Sequence, residues 1–320
     1  MPHGWRIIGK RTMPSIFTTS FAALLLLVAA QHAIRVDVSL VTLGVRVIDS
    51  RGRDVPGLTA KDFSIYEDGV SRDIGFFSSE PQPITLGIVL DRSNSMSYGN
   101  KLDRAKDAAR ALVNGAREGS EFFYVEFDDF VSVGADFTSD RLDVMFAIQR
   151  TALGGGTSLY DAILKGVTLT DHAVLPRRAL VVISDGADQH STHKLSEIVR
   201  SVRESEIQIF TIGYFTREEE QLYRDANVKL TRLDGTAIDN PQVALEKVAK
   251  ESGGDFFFPR SDKELAQAVA EISEDLRTQY TLAFYPRVQD RESRYQELRV
   301  TVPGKSYKVR ARPGYATRPQ

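Results

Sequence analysis

The spacing of hydrophobic and polar residues changes near residue 82 and again near residue 279. In residues 34–80 the two classes partly alternate, as in "VDVSLVTLGVRVID" (36–49), which is the period of a half-buried strand. Asp68-Gly69 stands between two short apolar runs and predicts a hairpin turn. Strand-like patterning returns after Gln279 in three segments, 280–286, 297–303 and 307–315. Both flanks of the chain are therefore predicted to be β-structure.

Between these flanks, continuous apolar runs alternate with segments of helical period. "ITLGIVL" (84–90) and "ALVVIS" (179–184) show no alternation, as expected for strands that are covered on both faces. The helical segments include 101–116, 139–151, 154–170, 193–206, 240–254 and 262–279. This order predicts an α/β fold with a doubly wound, mostly parallel sheet. Residues 216–239 are polar, carry no clear period and receive no assignment.

The two flanking sets of strands are each too small to bury a face well alone. We therefore predict that residues 34–80 and 279–318 pair into one small β-sandwich. The α/β domain, residues 82–278, would then be inserted in it, because chain termini often lie close together and tolerate insertions. Two separate β extensions, each packed on the central domain, are the alternative.

Residues 1–30 have the pattern of a secretory signal peptide. Three basic residues among the first eleven precede the apolar core "FAALLLLVAA" (21–30), which ends in small residues. Ten apolar residues are too few for a membrane span, which needs about 20. The pattern predicts export to the cell envelope or the exterior, and no stable membrane span in the mature chain. An uncleaved anchor is the alternative, because the apolar character extends back to Ile16.

Composition narrows the classes of function. The 320 residues are 42% hydrophobic and 26% charged, which is ordinary for a globular protein. A formal net charge of −2 offers no broad basic surface, so no nucleic-acid partner is expected. The chain has no cysteine, which excludes disulfides, thiolate metal sites and a cysteine nucleophile.

Polar side chains follow both buried strands at their carboxyl ends. Asp91 comes directly after "ITLGIVL", and Asp185 holds the same place after "ALVVIS". Ser93 and Ser95 follow at alternate positions, so both hydroxyls face one side of an extended loop, and Thr157 lies in a glycine loop. Ligands of open parallel sheets bind beyond the carboxyl ends of the strands. Two carboxylates and three hydroxyls are hard oxygen donors that suit Mg²⁺, a preference that Mn²⁺ and Ca²⁺ share.

The simpler interpretation of the three hydroxyls is helix capping. Ser93 and Ser95 would cap the helix from Lys101, although they stand six or more residues before it. Thr157 would cap its own helix, a role that is compatible with metal binding.

Three strings occur in a fixed order on this α/β pattern: "DRSNS" (91–95), "GGGTSLYDAI" (154–163) and "ISDGAD" (183–188). With them, residues 82–278 resemble a von Willebrand factor type A domain. The resemblance implies a metal-ion-dependent adhesion site formed by Asp91, Ser93, Ser95, Thr157 and Asp185. It also implies that the two serines bind the ion directly, and that the other three residues bind it directly or through water. The flanking strings at 57–69 and 276–315 resemble secreted bacterial proteins that carry this domain.

The predicted function is an exported binding or adhesion module that is not an enzyme. A divalent ion at the top of the sheet would capture an Asp or Glu carboxylate of a protein partner. The alternative is Mg²⁺-dependent phosphoryl transfer through Asp91, since a strand-end aspartate with Mg²⁺ also begins aspartyl-phosphate chemistry. That chemistry wants a second acidic residue two positions on, where Ser93 stands. The sequence also lacks a P-loop and a nucleophile elbow.

Four other polar features receive ordinary interpretations. His190 and His193 form an H-x-x-H pair without an apparent third ligand, so they are assigned to a solvated helix start. Asp128-Asp129 is assigned to a hairpin tip, and "REEEQ" (217–221) to a solvated surface run. Ser139 is the predicted cap of the helix in residues 139–151.

Overall fold

The computed structural model describes residues 40–225, 228, 230–231, 236–278, 280–286 and 295–316. They belong to one unit of the chain, Val38–Gln320. The predicted signal segment, residues 1–30, lies outside the described residues, as do parts of 216–239. In the part that is described, no helix has both the length and the apolar character needed to cross a membrane.

The described chain contains strands, α-helices and two 3₁₀ helices. The strands are β1 (Val41–Ile48), β2 (Ser64–Glu67), β3 (Val70–Arg72), β4 (Ile74–Ser78), β5 (Thr85–Asp91), β6 (Glu121–Phe127), β7 (Val131–Thr138), β8 (Arg178–Ser184), β9 (Ile207–Gly213), β10 (Leu230–Thr231), β11 (Ala237–Ile238), β12 (Phe256–Phe257), β13 (Tyr280–Phe284), β14 (Tyr295–Thr301), β15 (Lys308–Arg310) and β16 (Gly314–Ala316). The α-helices are α1 (Lys101–Gly115), α2 (Arg141–Arg150), α3 (Leu159–Thr170), α4 (Leu195–Glu204), α5 (Arg217–Tyr223), α6 (Pro241–Ser252) and α7 (Asp262–Thr278). Two 3₁₀ helices are Ala60–Asp62 and Asn94–Asn100.

The central sheet is mostly parallel. Among the described residues it has six strands in the order β12-β9-β8-β5-β6-β7, and only β7 runs antiparallel to its neighbour. Every residue of β5 is buried, which explains the continuous apolar run in the sequence. The predicted fold class, an α/β fold with a doubly wound sheet, is confirmed.

Helices cover both faces of this sheet. On one face, α1, α2 and α7 pack on alternate side chains of the strands, with Ile88, Val181 and Ile272 in the core. On the other face, α3, α4 and α6 pack on the intervening side chains, with Val89, Val182 and Leu245 buried. Because both faces are buried, the carboxyl edge of the sheet is left for polar side chains.

The flanking strands form two antiparallel sheets, each with strands from both ends of the chain. Their orders are β15-β1-β13-β4 and β16-β14-β2-β3. Leu43 of β1 stands opposite Leu282 of β13, and Ile65 of β2 stands opposite Val300 of β14. These side chains belong to one buried cluster, so the two sheets pack face to face as a sandwich.

Two segments that were each predicted as one strand form two strands, one in each sheet of the sandwich. Asp68 and Gly69 have φ of 47° and 78°, which forms the predicted hairpin turn between β2 and β3. The chain after this hairpin changes sheet, because β4 pairs with β13. Residues 307–315 were predicted as one segment and instead give β15 and β16 in different sheets. Pro313 lies between them and has no backbone N–H to continue a ladder.

Local side-chain chemistry corrects one other expectation and identifies a helix where the sequence has no clear period. The cap of α2 is Asp140, whose carboxylate accepts from Leu142 N at 2.8 Å, so the prediction of Ser139 as the cap is wrong. The run at 217–221, which has no buried residue, lies in α5. Thr216 accepts from Glu219 N at 3.1 Å, and Glu219 accepts from Thr216 N at 2.8 Å.

Replacing Gly254 with alanine is expected to lower the free energy of unfolding by about 2 kcal/mol or more. A Cβ at this position would overlap the carbonyl oxygen of Ile209 in β9, and backbone of a central strand has little room to move. Gly115→Ala is the matched control, since its Cβ would be 3.4 Å from Ser273 Oγ, an ordinary contact. Urea denaturation measures both variants, and equal midpoints for the two would contradict this packing argument.

Candidate metal site

The two strand-end aspartates lie at the same edge of the central sheet. Parallel strands β5 and β8 are direct neighbours, with Leu90 opposite Ile183. Asp91 is the last residue of β5 and is fully buried, and Asp185 follows β8 with 2% of its surface exposed. The sheet register therefore brings two carboxylates from distant parts of the sequence together.

The first loop joins these carboxylates through two hydroxyls. Asp91 Oδ1 accepts a hydrogen bond from Ser93 N at 2.8 Å, which turns the chain so that Ser93 and Ser95 face one another. The Oγ atoms of Ser93 and Ser95 are 3.0 Å apart, and Ser95 Oγ donates to Asp185 Oδ1 at 2.6 Å. A row of oxygen atoms thus runs from one strand end to the other.

The serines are not helix caps. A 3₁₀ helix starts at Asn94, but the side chain of Ser93 makes no capping hydrogen bond to it. The cap position of α1 is Asn100, and that of α3 is Ser158 rather than Thr157. Capping therefore does not explain why these hydroxyls face the site.

The glycine loop brings Thr157 to the same place. Gly154 N donates to Arg92 O at 2.7 Å, and Asn94 N donates to Gly155 O at 2.9 Å, so the two loops are tied together. A Cβ built on Gly186 would lie 3.5 Å from Thr157 Oγ1 and 4.0 Å from Asp91 Oδ2. The absence of a side chain at Gly186 leaves room between the threonine hydroxyl and the carboxylate.

The environment disfavours negative charge on both carboxylates. Burial, followed by the charge of Asp185, raises the pKa of Asp91 to about 7. Burial also raises the pKa of Asp185, and the ammonium of Lys101 opposes this effect. A cation between the two carboxylates would relieve their repulsion, because an opposite charge favours the ionised form.

The donor set fits a hard divalent ion. Asp91, Ser93, Ser95, Thr157 and Asp185 supply only oxygen atoms, and the structure brings all five together at one edge. Mg²⁺, Mn²⁺ and Ca²⁺ prefer such ligands, whereas soft metals prefer thiolate or imidazole. Across the described residues, no group of three or more His, Cys, Asp or Glu side chains could hold a metal ion.

Two contacts of the site were missed in the sequence. Ser184 Oγ donates to Asp91 Oδ2 at 2.6 Å, and Lys101 Nζ donates to Asp185 Oδ2 at 2.5 Å. Ser184 is the residue directly before Asp185, and its hydroxyl offered a signal in the string "ISDG". Lys101 gave no signal, because it lies 84 residues from its partner and begins a helix.

The other polar features near this edge have separate partners. His190 Nδ1 accepts from the backbone N of Thr157 at 3.2 Å and lies 3.4 Å from Asp129. His193 instead lies 2.7 Å from Asp161, so the two histidines do not converge on one point. Asp128 lies at the tip of the β6–β7 hairpin, as predicted, and pairs with Arg92 at 2.6 Å.

Comparison with known families agrees with this architecture. Residues 86–187 match the family model of the von Willebrand factor type A domain. The resemblance drawn from the sequence is thereby confirmed for this segment. The matched part of the type A domain extends from β5 to just beyond Asp185 and contains all five predicted residues.

Individual relatives are distant. A UPF0353 protein of Nocardia farcinica (strain IFM 10152) is 26% identical over 219 residues, which are 60% of this chain and 63% of that relative. This chain thus spans less than two thirds of the length of the relative. A von Willebrand factor type A structure from Catenulispora acidiphila has a TM-score of 0.49 and 12% identity, covering 88% of this chain and 74% of that one. Proximal thread matrix protein 1 from the mussel byssus, described with zinc in its adhesion-site motif, has a TM-score of 0.47 and 14% identity, covering 65% and 48%.

Proposed function

We propose that this chain is an exported, metal-dependent binding module that captures an acidic group of a protein partner. One observation carries the proposal. Asp91, at the end of one strand, accepts from the backbone N of Ser93, and the hydroxyls of Ser93 and Ser95 continue these contacts to Asp185 on the neighbouring strand. The match to a von Willebrand factor type A domain supports a role in protein interaction. Export rests on the signal-like pattern of residues 1–30.

The residues of the chain have distinct roles in this proposal. Ser93 and Ser95 offer neutral hydroxyl oxygens to the ion, and Thr157 offers a third. Asp91 and Asp185 offer carboxylates, directly or through water. When bound, Mg²⁺ supplies positive charge that accepts a carboxylate oxygen from outside. Ser95 and Gly186 are only partly buried, so a partner would approach on their side of the site.

The immobilised full chain is expected to retain one or more proteins of the native source in Mg²⁺ and to release them in EDTA. A carboxylate of the partner is the proposed contact, so amidation of the source proteins with a carbodiimide and an amine should abolish retention. Quantitative mass spectrometry of the EDTA eluates measures both effects.

Matched serine variants provide the control for this capture experiment. Ser93→Ala combined with Ser95→Ala should lose retention, because it removes two hydroxyl ligands. Ser97→Ala should behave as the unmodified chain, because Ser97 Oγ donates to Asn94 O at 2.7 Å and lies outside the oxygen row. Proteins that stay bound in EDTA, or that bind the double variant equally well, would contradict the proposed function.

A further inference from the structure

Lys101 places a positive charge inside the proposed metal site. It is the first residue of α1, and only 8% of its surface is exposed. Its Nζ donates to Asp185 Oδ2 at 2.5 Å. A buried ammonium needs such a partner, since an unpaired charge in the interior is costly. The family pattern of five oxygen donors does not include this residue.

Both oxygens of Asp185 already have donors within the chain. Ser95 Oγ donates to Oδ1 and Lys101 Nζ donates to Oδ2. A divalent cation that approaches Asp185 therefore meets either a hydroxyl, which can turn its lone pair toward the ion, or an ammonium, which has none. The ammonium and the ion carry like charges and compete for the same carboxylate.

A second carboxylate lies close to the same ammonium. Glu219 Oε2 is 4.0 Å from Lys101 Nζ, and the Glu219 side chain is 35% exposed. Glu219 is fixed in place because it also accepts from Thr216 N at 2.8 Å in the capping box of α5. The ammonium thus has an alternative partner outside the five predicted ligands.

We propose that Lys101 is a competing counter-ion of Asp185, which lowers the affinity of the site for divalent cations and strengthens its hold on an acidic partner. This inference rests on the proposed function. With two carboxylates alone, a divalent ion would be formally neutralised. Counting the ion, the two aspartates and the ammonium, the centre of the site keeps one net positive charge, which favours a carboxylate from outside, while the charge of Glu219 lies at the exposed side of the ammonium. Glu219 moderates the competition by sharing the ammonium.

Isothermal titration of the full chain with Mn²⁺ tests this role. Lys101→Met should bind Mn²⁺ about tenfold more tightly than the unmodified chain, a change that corresponds to about 1.4 kcal/mol. Glu219→Gln should bind it more weakly, since Lys101 is then held by Asp185 alone, while glutamine preserves the capping box. Lys106→Met is the matched control with unchanged affinity. Lys106 is a buried lysine of the same helix that donates to Gln149 O at 3.3 Å.

The capture experiment supplies a second measurement, in which Lys101→Met is expected to have the opposite effect: weaker retention of the partner despite tighter binding of the ion. Lys101→Met, although it binds the ion more tightly, should retain less of the acidic partner at saturating Mn²⁺, and Lys101→Arg should restore retention by restoring the charge. If the role of Lys101 were purely structural, replacing it with methionine would not increase the affinity for the ion. Equal or weaker Mn²⁺ binding by Lys101→Met, or equal or tighter binding by Glu219→Gln, would overturn the counter-ion role alone. Absence of Mn²⁺ binding by the unmodified chain and by Lys101→Met alike would instead contradict the proposed metal site itself.

Discussion

Asp91→Ala is expected to weaken Mg²⁺ binding by about a hundredfold or more, since it removes one of two carboxylates from the oxygen row. The fold should persist, with the free energy of unfolding in EDTA within about 1 kcal/mol of the unmodified chain. Alanine loses the hydrogen bonds from Ser93 N and Ser184 Oγ. The substitution also removes a fully buried carboxylate, whose pKa is raised by burial and by Asp185. Removal of this unfavourable buried charge offsets the loss of the two hydrogen bonds.

Calorimetric titration with Mg²⁺ and urea denaturation in EDTA measure the two parts of this expectation separately. Asp136→Ala is the matched control, because this exposed aspartate of β7 accepts from the backbone N of Phe137 and lies outside the predicted ligands. Undiminished Mg²⁺ affinity in Asp91→Ala would contradict the assignment of Asp91 as a ligand. Loss of affinity together with loss of the folded state would show that Asp91 acts through the fold.

Asp275→Ala is expected to lower the free energy of unfolding by about 3 kcal/mol, the largest stability effect among these substitutions. Arg46 of β1 and Arg310 of β15 stand directly opposite one another in the sandwich. Asp275 of α7, with 1% of its side chain exposed, pairs with both guanidinium groups. Without it, two like charges would face each other in a largely buried place, with Asp54 left to pair with Arg46 and Asp255 left to pair with Arg310. Burial lowers the pKa of Arg310, and the charge of Asp255 opposes this effect.

Asp262→Ala, at the start of the same helix, is the control. It removes an ion pair at the surface, whereas Asp275→Ala removes a buried carboxylate. Asp262 pairs with Arg104 at 2.6 Å, but its side chain is 85% exposed, and such surface pairs contribute about 0–1 kcal/mol. Chemical denaturation should therefore show a large shift of the midpoint for Asp275→Ala and little for Asp262→Ala. Similar small shifts for both variants would mean that the contact between α7 and the sandwich contributes little to stability.

The fold could be predicted from the sequence where periodicity is unambiguous. The continuous apolar runs at β5 and β8 and the return of strand patterning after Gln279 identify the parallel sheet and its β-rich flanks. The exchange of strands between the two sandwich sheets was not visible, because β3 and β4 lie in one apolar run after the hairpin turn, and β15 and β16 lie in one strand-like segment. Which sheet a short strand joins depends on tertiary packing, which local periodicity does not encode.

The grouping of the candidate residues could be predicted because they follow strand ends in a recurring spacing. Asp91, Ser93 and Ser95 stand at alternate positions, and Asp185 repeats the position of Asp91 on the neighbouring strand. Lys101 could not be found in this way. Its contact with Asp185 depends on where the first turn of α1 lies relative to β8, a three-dimensional relation between residues far apart in sequence.

The most direct test of the account is the anomalous scattering of Mn²⁺ in crystals of the full chain grown with that ion. We expect an anomalous peak at the carboxyl edge of the central sheet, within ligand distance of oxygen atoms from Asp91, Ser93 and Ser95. The peak should be absent from crystals of Asp91→Ala grown in the same way. A Mn²⁺ peak at another place, with none at this edge, would contradict the proposed metal site.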